Sequence, residues 1–316
     1  MIAILAALET ELRGLRRHLR RSHTVQHECM TIVEGFLAND LRSRFSGQAH
    51  PVLRLLMTRA ASAANGQGSD GRAGGKGSEV VLVTSGMGRQ SAEQAADYVL
   101  THYKPAALLT AGFAGAVVRN LRAGDVIICT QQYGLNHMPS YLPAAAPFHK
   151  VGQAQRGADE AFALEGPISS DQRLVSLWKQ ALPTRRYWRG SHSLARVARG
   201  AALTVPELVT DRQMKEWLGW QFAVVVIDME SYWVAQRAAA RGVPFLNIRA
   251  VSDTLDQQLP PLMDLVDRQG QPHTRAMCGY LWRHPRQIGN LCLLGIHSWR
   301  AARALTRALL HFAISY

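Results

Sequence analysis

Residues 79–89 read Glu-Val-Val-Leu-Val-Thr-Ser-Gly-Met-Gly-Arg. The apolar run within 79–84 has no polar alternation, which is the mark of a strand buried on both faces. Gly86 and Gly88 then break the run, and helical spacing takes over across 91–103. Apolar runs of the same kind recur at 2–8, 106–110, 125–130, 222–227 and 245–248. Further helices are expected over 9–21, where Leu12, Leu15 and Leu19 share a face, and over 231–241. Apolar strands alternating with amphipathic helices predict an α/β fold whose sheet is covered on both sides.

The chain has 316 residues, 47% of them hydrophobic, enough for one large α/β domain or two small ones. Collagen-like, coiled-coil and wholly disordered classes are excluded. With 36 basic and 23 acidic residues the net charge is +13, which favours an anionic partner such as nucleic acid or a membrane surface. The cysteines Cys29, Cys129, Cys278 and Cys292 form no Cys-x-x-Cys pair, so no zinc ribbon or redox motif is expected, and reduced thiols suit a cytoplasmic setting. Residues 1–8 are apolar without a basic flank, and Glu9 and Glu11 follow, so no signal peptide is expected. No apolar run reaches the ~18 residues of a membrane span.

Two segments depart from the α/β rhythm. Residues 62–78 are rich in Gly, Ser and Ala and are expected to form a flexible loop, with 51–61 a short basic helix before it. Together they read as an insertion, 45–78, within a catalytic domain spanning 1–280. From Pro285 onward, Ile288, Cys292, Gly295, Trp299, Ala302, Leu305, Leu309 and Phe312 recur three or four apart, with Arg300, Arg303 and Arg307 on another side. Residues 281–316 are therefore expected to form a basic amphipathic helix. Such a helix either packs on the domain or lies on a membrane surface.

Four stretches that follow strands carry polar chemistry. Ala7-Leu8-Glu9-Thr10-Glu11 places carboxylates after the first strand, where a helix's first turn also favours acids. Thr84-Ser85-Gly86-Met87-Gly88-Arg89 exposes backbone N–H groups at a helix start but lacks both the dinucleotide fingerprint and a P-loop. Asp228-Met229-Glu230-Ser231 brings carboxylates out of a buried strand, or caps the next helix. Arg249-Ala250-Val251-Ser252-Asp253 offers either a structural Arg249–Asp253 ion pair or a shielded Asp able to hold a proton.

Taken in order, residues 7–12, 85–89, the Thr-Ala-Gly-Phe-Ala-Gly of 110–115, Gly124-Asp125-Val126, 228–230 and 249–253 resemble the nucleoside phosphorylase superfamily. Within it they are most similar to the methylthioadenosine/S-adenosylhomocysteine nucleosidases. Residues 253–261 and 280–310, with the step His284-Pro285-Arg286, resemble the hopanoid-associated members, which are implicated in cleaving adenine from adenosylhopane. The resemblance implies a single three-layer domain with a central mixed sheet flanked by helices. It implies cleavage of a purine N-glycosidic bond, with methylthioadenosine, S-adenosylhomocysteine or an adenosyl lipid as substrate. Asp253 would protonate the base, Glu230 would hold the ribose hydroxyls with Met229 against the sugar, and Glu11 with Arg249 would orient the attacking water. Ser85 and Gly86 would line the sugar side and Ser252 would lie near the base.

The family reading needs no cofactor and no metal, and it implies a homo-oligomer in the cytoplasm. An adenosyl-lipid substrate would add peripheral contact with the inner membrane. Nucleic acid is not an expected partner, although Arg185-Arg186-Tyr187-Trp188-Arg189 is a basic, aromatic cluster. Glu9 and Glu11 stand where phosphorolytic members carry a cationic phosphate loop, so water is favoured over phosphate, with Arg89 and Arg249 leaving phosphorolysis open. A catalytically silent nucleoside-binding protein is the non-enzyme alternative. Residues 199–205 and 133–143 depart from the nucleosidase pattern, the first lacking its acidic and aromatic residues, so adenine preference is inherited rather than read.

Overall fold

Every residue of the first strand, Ile2–Ala6, is buried, and alternate side chains enter different cores. Ile2, Ile4 and Ala6 join one, while Ala3 and Leu5 join the other. A strand with two buried faces must be apolar throughout, which is why this run lacks the polar alternation of a one-sided sheet. The structure is a computed structural model that describes residues 1–37, 78–138, 164–181, 196–257, 259, 267 and 273–315. The expected insertion lies outside those residues apart from Ser78, as do the Arg185–Arg189 cluster and residues 139–143.

The strands are β1 (Ile2–Ala6), β2 (Leu19–His27), β3 (Met30–Leu37), β4 (Ser78–Thr84), β5 (Ala107–Ala116), β6 (Val126–Leu135), β7 (Leu164–Ser169), β8 (Val197–Thr204), β9 (Val226–Asp228) and β10 (Phe245–Asp253). The helices are α1 (Glu9–Arg16), α2 (Arg89–His102), α3 (Gln172–Ala181), α4 (Arg212–Phe222), α5 (Ser231–Ala240), α6 (Thr274–Arg283) and α7 (Ile288–Ser315). Strands β4, β1, β5 and β10 run parallel, so their carboxyl ends open on one edge. β10 also pairs antiparallel with β6, β6 pairs with β8, β8 with β9, and β9 returns to β5. Half of the mixed sheet therefore closes into a ring, and β3 and β2 extend its other edge.

Helices α1, α3 and α7 cover one face, and α2 and α5 cover the opposite one. In α2 the buried residues Ala92, Ala95, Ala96 and Val99 fall on one stripe, and their small size lets the helix lie close to the strands. The last turns of α7 are fixed by Leu305, Leu309 and Phe312, with Phe312 packed edge-on against Trp178 of α3 at 5.4 Å. Burial of each such side chain contributes about 1.5–3 kcal/mol.

Three expectations need correction. The helix expected over 9–21 ends at Arg16, and Leu19 already begins β2. β2 is an edge strand with mostly exposed polar side chains, and it bulges between Arg20 and His23, so no core pattern marks it. The strand expected over 222–227 is shorter, because Phe222 closes α4 and the ladder begins at Val226. The C-terminal segment is two helices, α6 and α7, separated by a 3-10 turn at Pro285–Gln287.

Candidate active site

The carboxyl ends of β1, β5, β9 and β10 bring distant residues to one cleft. Its lining includes Glu11 and Leu8 beside β1, Phe113–Gly115 from β5, Asp228–Glu230 after β9, and Ser252 and Asp253 from β10. The sequence-expected trio Glu11, Glu230 and Asp253 thus borders a single cavity. That cavity measures about 140 Å³, close to the ~150 Å³ that encloses a benzene-sized ring, so a larger ligand extends beyond it. Among the described residues, no group of His, Cys, Asp and Glu is arranged to hold a metal ion.

Glu11 is not an exposed first-turn acid, as Glu9 is. It is buried, accepting from the backbone N–H of Leu8 at 2.8 Å and of Phe113 at 2.6 Å. Burial raises its pKa, against the lowering effect of those donors and the Arg249 charge. Glu230, also buried, accepts from the N–H of Gly88 at 2.9 Å. Its pKa is pushed up to about 7, chiefly by burial, with the Arg249 charge opposing and the Asp228 charge adding.

Arg249 lies under this group. Its Nε donates to Asn247 Oδ1 at 2.9 Å and makes an ion pair with Asp228 Oδ2, also at 2.9 Å. Burial works against its charge, but Asp228, Glu230 and Glu11 more than offset that, and its pKa ends above the usual value. Asp228 serves a second purpose. Its Oδ1 accepts from the N–H groups of Glu230 and Ser231 and from the Thr204 hydroxyl, fixing the start of α5.

Asp253 does not pair with Arg249, so the ion pair considered from sequence is absent. Its Oδ2 lies 2.5 Å from Lys215 Nζ, and its Oδ1 accepts from Ser252 Oγ at 2.9 Å. Lys215 is 1% exposed and comes from α4, on the same stripe as buried Leu218. Both oxygens of Asp253 therefore face donors, the Lys215 Nζ on one side and the Ser252 hydroxyl on the other.

The glycines of the 110–115 motif make room for these side chains. A Cβ on Gly112 would strike Arg249 Nη1 and come within 2.8 Å of Glu11 Oε1. One on Gly115 would lie 2.9 Å from Asp253 Oδ2. Each carboxylate thus approaches bare backbone of β5, and a side chain on either glycine would push it out of place.

Three expected binding residues are placed differently. Arg249 is not part of the cleft lining and reaches a ligand only through its carboxylates. Ser85 and Gly86 are absent from the lining too, and Met87 takes their place. The Ser85 hydroxyl is already donated to the carbonyls of Ala6 and Gly86. Sequence reasoning missed Lys215, Phe113, Met87 and Glu207. The signal for Lys215 was a lysine on the apolar stripe of a helix. Glu207, two residues beyond the stretch searched for an acidic residue, borders the cleft beside Val205, Leu208 and Val209.

Electrostatically the described lining has carboxylates and no Arg, Lys or His. Arg89, near in sequence to the Gly turn, is held elsewhere, stacked 3.8 Å from the Trp233 ring and bonded to Glu93 and Asn136.

A family model described as the phosphorylase superfamily matches residues 49–273. A 5'-methylthioadenosine/S-adenosylhomocysteine nucleosidase from Bacillus subtilis (strain 168) is 27% identical over 203 residues, 64% of this chain and 80% of its own. Among solved structures, the corresponding nucleosidase of Neisseria meningitidis, in complex with methylthio-immucillin-A, is 19% identical, with a TM-score of 0.61 over 100% of this chain and 99% of that one. That of Colwellia psychrerythraea 34H, in complex with adenine, is 16% identical, with a TM-score of 0.62 over 99% and 94%. A futalosine hydrolase of Helicobacter pylori strain 26695 is 14% identical, with a TM-score of 0.56 over 98% and 96%. At these identities the solved structures speak for the fold, the α/β domain with a central mixed sheet.

Proposed function

The chain belongs to the phosphorylase superfamily, and on that premise we propose that it hydrolyses the N-glycosidic bond of a purine nucleoside of the methylthioadenosine or S-adenosylhomocysteine type. One observation carries the reading: the described lining is acidic and holds no cation. Developing positive charge on a sugar is stabilised by such a lining, whereas a phosphate nucleophile is repelled by it.

In this reading the bond between the sugar C1′ and the base nitrogen breaks with its electron pair leaving on the base. Asp253 delivers a proton to the base, and Lys215, hydrogen-bonded to it, supplies that proton. Glu230 accepts hydrogen bonds from the ribose hydroxyls, and Met229 packs on the sugar. Water attacks C1′ on the face where Glu11 accepts its proton. Arg249 keeps Glu11, Glu230 and Asp228 together without touching the substrate. The apolar residues Val205, Leu208 and Val209 suit a purine ring and a thioether substituent. The Bacillus subtilis relative's name supports this substrate class over an adenosyl lipid. The narrower adenosyl-lipid reading has one supporting feature, the exposed apolar start of α7.

The test is release of free base from methylthioadenosine, S-adenosylhomocysteine, adenosine and an adenosyl lipid, each with and without phosphate. Adenine and free sugar are expected from the first two without phosphate. Strictly phosphate-dependent cleavage yielding a sugar 1-phosphate contradicts the proposal.

A further inference from the structure

A second cavity, larger than the cleft at about 570 Å³, lies between α1 and α7. Its lining contains Arg13, Arg17 and His18 on one side, and Trp299, Arg303 and Arg307 on the other, with no carboxylate. Arg303 lies over the Trp299 ring at 4.6 Å. Of the two acids of α1, Glu9 faces Arg16 at 3.6 Å and Glu11 is buried at the cleft, and neither is part of this lining. Burial and the neighbouring Arg303 charge lower the pKa of Arg307, so positive charges crowd one another here. No carboxylate side chain follows Asp267 in the sequence, so α6 and α7 add only basic charge.

The face continues beyond the cavity. Ile288, Cys292, Ile296, Trp299, Arg303 and Thr306 follow one another at helical spacing and form a single stripe on α7. The second half of the helix buries Ala301, Ala304, Leu305, Ala308 and Leu309 in the core, but the first half leaves Ile288 48%, Ile296 50% and Trp299 58% exposed. The stripe is thus apolar at one end and basic at the other, with a tryptophan at the junction. That sequence of chemistry matches a bilayer surface, where acyl chains lie next to headgroup phosphates and tryptophan favours the boundary.

We propose that this face docks on an anionic lipid surface. Ile288, Ile296 and Trp299 enter the interfacial layer, and Arg13, Arg17, Arg303 and Arg307 bind headgroup phosphates. The proposal uses none of the cleft residues, so it stands or falls apart from the reaction.

Flotation of the full chain is measured with vesicles of phosphatidylcholine alone and with 30 mol% phosphatidylglycerol (~0.1 M salt, a Debye length of about 10 Å). Binding to the anionic vesicles only, weakened by salt, is expected. The double variants Arg13→Glu/Arg303→Glu and Ile296→Ser/Trp299→Ser should each lower partitioning at least roughly tenfold. These side chains are exposed or line the groove, and base release in solution reports that the variants remain folded. Absence of vesicle binding overturns the proposal. So does equal binding to neutral vesicles. Capture of inorganic phosphate or inositol hexakisphosphate without vesicle binding assigns a free-anion site instead. Preferential duplex-DNA binding, or a dimer that Ile296→Ser/Trp299→Ser dissociates without any vesicle binding, likewise overturns it in favour of those partners.

Discussion

Arg249 and Lys215 are both buried cations that serve the cleft, and they differ in how many anions each holds. Arg249 has Asp228 in direct contact and Glu230 and Glu11 within reach of its charge, while Lys215 meets Asp253. Three carboxylates around one guanidinium leave negative charge in excess. Glu230, buried among them, has its pKa pushed up to about 7, chiefly by burial, with the Asp228 and Glu11 charges adding to it. The Lys215–Asp253 pair is balanced, so a proton can move within it without changing its net charge, and the pair takes up one negative charge when that proton goes to the base. The comparison separates two tasks: a negative region for a cationic sugar, and a proton-bearing pair for the leaving base.

The comparison breaks most visibly at Arg249. Arg249→Met strands Asp228, Glu230 and Glu11 in the interior, and loss of one partner from a buried cluster costs about 3–5 kcal/mol. Urea denaturation near pH 8 is expected to show that loss, with base release abolished. A wild-type midpoint would mean that the three acids do not depend on the guanidinium.

Lys215→Met tests the balanced pair. It removes the proton source while leaving Ser252 to hold Asp253. A fall in kcat of roughly 100-fold is expected, in the range of general-acid contributions. Lys215→Arg, which keeps a cation beside Asp253, should recover part of the rate. A wild-type kcat in Lys215→Met would remove Lys215 from the proton path.

Glu230→Gln sharpens the contrast from the opposite direction. In the folded chain the pKa of Glu230 is raised from 4.5 to about 7, so the native state holds a proton that the unfolded chain releases. Its contribution to stability is therefore complete below pH 4.5 and is lost as pH rises through 7. A glutamine has no such loss. The variant should match the wild type near pH 4.5 and exceed its stability by about 2–3 kcal/mol at pH 8. Base release should fall sharply at the same time, and wild-type kcat/KM should climb through a pKa near 7. A variant less stable than wild type at pH 8 would show that the hydrogen bond from Gly88 outweighs the cost of the buried charge.

The parts of the fold written in continuous apolar runs were legible. β1 is such a run, and β4, β5, β6 and β10 each contain a shorter one, because a strand buried on both faces is apolar wherever no polar partner waits for it. β2 was not, since an edge strand gains its place from backbone pairing and keeps Arg20, His23 and other polar groups in solvent. α3 and α4 also escaped notice, and with α4 went Lys215, whose meaning depends on a partner 38 positions away. Glu11, Glu230 and Asp253 were legible because each stands at or beyond the end of a strand that begins with a readable apolar run. Whether Arg249 would pair with Asp253 or Asp228 was not, since the choice rests on β10 and β9 lying on either side of β5. The register of those strands, rather than nearness in sequence, selects Asp228.

The most direct trial of the acid–base reading is the steady-state rate of adenine release from methylthioadenosine by Asp253→Asn at neutral pH without phosphate. Asparagine keeps the shape and can still accept from Lys215, but it cannot donate a carboxyl proton. A rate at least about 100-fold below that of the wild-type chain is expected. A rate within twofold of wild type would contradict the assignment of Asp253 as the proton donor and, with it, the chemistry assigned to the cleft.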